Sequence, residues 1–265
     1  MLASIPTVSL NYIKSGEQGP PLIIMHGLFG SARNWQAIAN KLSDNYSVYA
    51  LDLRNHGASA HHDDMSYPAM AADVARFLEQ HDLHDAILLG HSMGGKVAMY
   101  LALTEPERVK QLIVVDIAPV AYQHDFDDIL QALRNVPLKD VKSRKEADVY
   151  LAKKLEVLSL RQFLLQNLVP STTGGYQWRV HLDSIEDNLS LITGFPVLGK
   201  NVAYDKAACF IAGGKSTYLS SAHQLKTLAY FPKASVHSIS GSGHWPHIEA
   251  PSQFMAHLDN FLKFN

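Results

Sequence analysis

The chain has 265 residues, 47% hydrophobic and 18% charged, a balance that supports a large buried core and excludes a disordered chain. A formal charge of -2 at pH 7 supplies no field that would draw it to nucleic acid or to anionic lipid. The one cysteine, Cys209, excludes an internal disulfide; set in the apolar run 207–212, it reads as a buried thiol in a reducing, cytoplasmic setting.

Residues 1–15 lack the basic segment and following apolar stretch of a signal peptide. Apolar runs such as 22–25 and 112–115 fall far short of the roughly 18 residues needed to span a bilayer. No stable membrane association is expected.

In chain order, strands are expected at 8–12, 22–25, 47–53, 86–89 and 111–116, separated by amphipathic helices at 32–42, 68–81 and 94–104. Repeated strand-helix units of this kind predict an α/β fold with a mostly parallel central sheet flanked by helices. Residues 122–195 break the alternation with helical stretches (126–133, 145–155, 161–168 and 182–192) and no convincing buried strand. The alternation then resumes with a strand at 209–212, a helix at 222–229, a strand at 235–239 and a last helix at 252–264. The expectation is one core domain, 1–121 with 196–265, interrupted by a helical insertion at 122–195. Ligand sites of open α/β sheets lie at the carboxyl ends of the strands, so this insertion is expected to cover the site as a lid.

Gly90-His91-Ser92-Met93-Gly94 follows the apolar strand 86–89 and opens a helix. That is the strand-turn-helix context of a GxSxG nucleophile elbow, in which glycines admit a turn too tight for side chains. A serine hydroxyl needs a base to take its proton. Of 14 histidines, His244 is the candidate, because Gly241-Ser242-Gly243-His244-Trp245 lies between the last strand and the last helix, where a glycine-rich loop can carry an imidazole back over the sheet edge. The oxyanion would be met by two backbone amides: that of Met93, and that of Leu28 in His26-Gly27-Leu28-Phe29-Gly30, after the strand ending at Met25.

The group that orients the histidine has two readings. Asp116 ends the strand after the elbow, where an adjacent strand end can bring a carboxylate to the imidazole; alternatively it caps the turn ahead of Pro119. The segment Gly213-Gly214-Lys215-Ser216-Thr217-Tyr218 holds no carboxylate, and Ser216 is either a hydrogen-bond partner of the Asp or His or a plain turn residue.

Two other chemistries are set aside. Gly90 to Lys96 matches a P-loop as far as GxxxxGK, but Val97 stands where the magnesium-binding Ser or Thr belongs. His56, His61, His62, Asp63 and Asp64 show no ligand spacing of a known metal site and read as a solvated loop, tied down by Arg54 and Asn55, with His56 available to the pocket mouth.

With His26 to Ser31, Asp52-Leu53-Arg54-Asn55-His56-Gly57, Gly90 to Lys96, Asp116-Ile117-Ala118-Pro119 and Gly243-His244-Trp245 in this order, the chain resembles the small bacterial acyl esterases of the YbfF type in the α/β-hydrolase superfamily. Trp178-Arg179-Val180 and Gly194-Phe195-Pro196 extend the resemblance over nearly the whole length. It implies an α/β-hydrolase fold and hydrolysis of short to medium acyl esters and, in some members, acyl-CoA thioesters. It also implies Asp116 as the acid, with Ser216 beside it; most of the superfamily instead keeps the acid after the penultimate strand. The chemistry would run through an acyl-enzyme with no metal or organic cofactor, and the insertion would set acyl length. Carbon-carbon bond hydrolases and ligand receptors with vestigial hydrolysis share Ser92 and His244 and remain the alternative; the carbon-carbon hydrolases usually keep the acid where Ser216 stands.

Overall fold

The computed structural model describes residues 2–123, 126–199 and 201–264. Strands β1 (Tyr12–Ser15), β2 (Pro21–Met25), β3 (Ser47–Leu51), β4 (Ala86–His91) and β5 (Val109–Val115) come first, with α1 (Gln36–Leu42), α2 (Tyr67–Gln80) and α3 (Met93–Thr104) between them. Helices α4 (Asp127–Arg134), α5 (Arg144–Leu151) and α6 (Leu158–Leu164) follow, then a hairpin of β6 (Leu168–Pro170) and β7 (Tyr176–Trp178), then α7 (Leu182–Asp187) and α8 (Leu189–Thr193). The chain closes with β8 (Ala208–Gly213), α9 (Ser221–Tyr230), β9 (Ala234–Ile239), α10 (Pro246–Glu249) and α11 (Pro251–Phe264).

The sheet order is β1-β3-β2-β4-β5-β8-β9, parallel except where β1 pairs antiparallel with β3. Its central strands alternate their side chains between two apolar layers, as a period of two requires. Ile23, Leu88, Val114 and Phe210 pack with α2 and α3 on one face. Ile24, Leu89, Ile113 and Ile211 pack with α1 and α11 on the other. Each such side chain contributes about 1.5–3 kcal/mol by leaving water.

The α/β class and parallel sheet agree with the sequence, and three local differences have physical causes. The expected strand at 8–12 instead starts at Tyr12, because the amides of Val8 and Asn11 donate to the Asp73 carboxylate and the Ser59 hydroxyl rather than to a neighbouring strand. The single helix expected at 182–192 breaks at Asn188, whose side-chain amide donates to the carbonyls of Asp63 and Ser184 while its oxygen accepts from Met65 N–H. The β6–β7 hairpin escapes notice in the sequence because three residues a side are too few for a period-two signal; its turn runs through Gly174 and Gly175, both at positive φ.

Candidate active site

Ser92 sits at the carboxyl end of β4 with φ 51° and ψ -118°, a backbone state costly for any side chain. Its amide donates to Val115 O at 3.0 Å, which fixes the turn against β5. A side chain at Gly90 would strike the Gly94 backbone, and one at Gly94 would strike the carbonyls of Met25 and His26. The turn is therefore possible only with both glycines, and it lifts Ser92 above the sheet edge.

Asp116 follows β5, also at positive φ (51°), and is wholly buried. Its Oδ1 accepts from Gly213 N–H at 2.9 Å, and its Oδ2 accepts from both Ser216 Oγ at 2.6 Å and His244 Nδ1 at 2.7 Å. With its proton held on Nδ1 by that carboxylate, His244 presents Nε2 as an acceptor to the Ser92 hydroxyl, 3.1 Å away. The structure thus brings together Ser92, His244, Asp116 and Ser216 from the ends of four strands. Leu28 and Met93 border the same space beside Ser92, in a small cavity of about 30 Å³.

Several groups that hold this arrangement leave no local sequence signal. His91 donates from Nε2 to the His244 carbonyl at 2.8 Å, and the exposed Glu249 carboxylate accepts from the amides of Gly243 and Trp245. Gly213 must be glycine, since a side chain there would strike the Gly243 carbonyl. The Tyr218 ring stacks on His244 with centroids 4.4 Å apart. Together these hold the loop backbone of His244 and one face of its ring.

The turn carrying Leu28 is braced by two buried histidines. His26 donates from Nδ1 to Gly27 O and accepts from Leu53 N–H at Nε2; His56 donates from Nδ1 to Arg54 O and accepts from Phe29 N–H at Nε2. Each ring must be neutral to accept, and burial enforces this: the His26 pKa is lowered and that of His56 is pushed down to about 3, with His26 as a further cause. His56 therefore braces the turn from within the core rather than lining the pocket mouth. Arg54 is fully buried, forked onto Asp73 at 2.6 and 2.8 Å, and Asn55 ties to the backbone of His62. Cys209 lies in the core, its thiol pushed up to about 11 by burial.

Above Ser92 opens a cavity of about 280 Å³. Phe126 and Ile129 near the start of the 122–195 segment and Leu160 and Phe163 of α6 line it together with Leu28, Trp245 and Ile248, the Phe163 and Trp245 rings meeting at 5.9 Å. An acyl ester or another apolar carbonyl compound suits such a lining. On the far side of Ser92, the buried Lys96 ammonium donates to the carbonyls of Thr193 and Gly194 at 2.8 and 2.5 Å and faces the rings of Tyr122 and Tyr67. No helix of the described residues is long and apolar enough to cross a membrane.

A family model for the alpha/beta hydrolase fold matches residues 20–251. The sn-1-specific diacylglycerol lipase ABHD11 of Xenopus laevis is 40% identical over 253 residues, covering 92% of this chain and 80% of that protein. Esterase YbfF of Escherichia coli (strain K12) is 35% identical over 243 residues, covering 91% and 92%. Both relatives are named as carboxylic ester hydrolases. Among solved structures, a marine microorganism esterase superposes with a TM-score of 0.93 at 39% identity, covering 96% of this chain and all of that one. On this match and on the sheet and elbow described above, the chain belongs to the α/β-hydrolase family.

Proposed function

We propose that this protein is a serine esterase that cleaves short to medium acyl esters, and acyl-CoA thioesters, through an acyl-enzyme on Ser92. The observation that carries the reading is the continuous hydrogen-bonded line from Asp116 through His244 to Ser92, ending at the floor of an apolar cavity. His244 removes the Ser92 proton as Oγ attacks the acyl carbonyl carbon. The amides of Leu28 and Met93 meet the oxyanion, a contribution of about 3–4 kcal/mol for each donor. As the carbon-oxygen or carbon-sulfur bond breaks, His244 passes its proton to the departing alcohol or thiol. Water then gives a proton to His244 and its hydroxyl to the acyl carbon, and Ser92 leaves with that proton restored.

Asp116 holds the imidazole in the required tautomer and stabilises the imidazolium; Ser216 steadies the carboxylate. The helical 122–195 segment acts as a lid whose aromatic and aliphatic side chains limit acyl length. Esterase and lipase names among the relatives support the ester substrate.

The test is release of p-nitrophenol from esters of increasing acyl length, and of thiol from acyl-CoA, by wild type and Ser92→Ala. Turnover of wild type that is lost in the variant, with an unchanged unfolding temperature, supports the reading. A wild type inert on every ester would sink it.

A further inference from the structure

Among the polar side chains that line the larger cavity beside Ser92, three histidines and an asparagine are already engaged. His26 donates to Gly27 O, His91 to His244 O, and His244 bridges Asp116 and Ser92. Asn34 accepts from Ser31 N–H and donates to Gln166 Oε1. His247 differs. It lies flat on Trp35, ring centroids 4.2 Å apart and planes within 11°, and is only 5% exposed, yet its buried Nδ1 has no hydrogen-bond partner among the described residues.

Burial, and then the nearby His244, push the His247 pKa down to about 3, so the ring is neutral and carries one proton. A buried N–H without an acceptor is rarer in proteins than a buried acceptor without a donor. The tautomer with the proton on Nε2 is therefore the less costly one, since it leaves the orphaned Nδ1 only a lone pair. Because the ring borders the cavity, that tautomer offers its N–H to a space also lined by Phe126, Ile129, Leu160 and Phe163. The ring lies two ring contacts from the base: His247 to His91 at 4.9 Å, and His91 to His244 at 4.8 Å. A donor so placed reaches a substrate atom a few bonds away from the scissile carbonyl, and a plain alkyl chain there would leave it unpaired.

We infer that His247 is a specificity-determining residue whose Nε2–H donates to an oxygen of the substrate, so that esters bearing an ether, hydroxyl or second carbonyl oxygen in the larger cavity are preferred over their alkyl counterparts. This rests on the esterase reading above. The engagement of one donor that is otherwise left dry is worth about three- to tenfold, the range of a single net hydrogen bond.

The experiment measures kcat/KM of wild type and His247→Phe on two matched pairs: n-butyl against methoxyethyl butanoate, and p-nitrophenyl pentanoate against p-nitrophenyl methoxypropanoate. Each pair differs only by oxygen in place of a methylene, one in the alcohol and one in the acyl group. The readout is the oxygenated-to-alkyl ratio in wild type divided by that in the variant, which cancels intrinsic reactivity and any general change in rate. Phenylalanine preserves the stack on Trp35. A quotient of about three or more in one pair supports the inference and says which half of the ester fills the cavity. A quotient of one in both pairs, with esters still turned over, overturns it while leaving the esterase reading intact. So does a lower unfolding temperature with an unchanged quotient, which would mark a purely structural ring. Loss of all turnover on alkyl esters by wild type would instead be a failure of the esterase reading.

Discussion

Ser216 and His244 share one oxygen: both donate to Oδ2 of the fully buried Asp116, at 2.6 and 2.7 Å. A hydroxyl so placed competes with the imidazole for the same lone pairs while it solvates the carboxylate. The two substitutions at this junction should differ in kind. Asp116→Asn offers an amide that disfavours the Nδ1–H tautomer, and kcat should fall by about three to four orders of magnitude with KM little changed. Ser216→Ala leaves Asp116 its bonds to His244 and Gly213, so kcat should fall by about tenfold, with a stability loss of roughly 1.5–3 kcal/mol for one hydrogen bond to a charged group. Steady-state kinetics and urea unfolding of both variants check this. Equal losses of rate would show that Asp116 does not orient the base.

Gly94→Ala tests the turn rather than the chemistry. The added methyl group has no free space, since it meets two backbone carbonyls of the 25–26 segment. Relief would have to come from moving the start of α3, and with it Ser92. We expect a destabilisation of about 3 kcal/mol or more, at the upper end for single substitutions, together with loss of turnover. A thermal melt within a degree of wild type would mean the turn is softer than its geometry indicates.

The elbow and the loop around His244 were legible because each is a short local string at a strand end. Asp116 and Ser216 needed more: a carboxylate missing from one strand end, one present at its neighbour, and the family resemblance. The braces were not legible, because their partners are remote. His56 reaches Phe29 across 27 positions and Lys96 reaches Thr193 across 97, and nothing in a local window announces either. His247 is the intermediate case: it stands three residues after His244, at the second position of α10, and lines the cavity. Its stack on Trp35 joins positions 212 residues apart and has no local signal.

Stability should decline in acid in a way that identifies the buried histidines. His26, His56, His91 and His247 all have pKa values lowered by burial. Above their ordinary value of about 6.5 the rings are neutral in folded and unfolded chains alike, and their contribution is intact. As pH falls below about 6.5 the unfolded chain takes up protons that the fold refuses, so stability is lost. His56→Gln should start from a lower stability, having exchanged one good brace for a poorer one. Between pH 6 and 4 its stability should nevertheless depend on pH less steeply, by up to about 1.4 kcal/mol per pH unit, the value of one proton. Urea midpoints across that range give the slope; identical slopes for wild type and variant would show that His56 binds a proton in the folded state.

Lys96 should act in the same direction but in an alkaline window. Among the described residues no carboxylate pairs with its buried ammonium, and its pKa is lowered to about 7 by that burial. The facing Tyr67 and Tyr122 hydroxyls are held protonated by their own burial. Below pH 7 both folded and unfolded chains carry the charge, and the cost of burying it is fully present. Between pH 7 and the ordinary lysine value of 10.5 the unfolded chain keeps a proton that the folded chain has released, so stability attributable to this residue rises with pH. Lys96→Met removes the rise and leaves the Thr193 and Gly194 carbonyls without their donor, which should loosen the return of the 122–195 segment to the core. Compared with wild type, the variant should lose ground steadily from pH 7 to 9.5 in urea unfolding, and amides near residues 192–195 should exchange faster. A constant difference across that range would mean the ammonium stays charged in the fold, sustained by its two carbonyls and two aromatic faces alone.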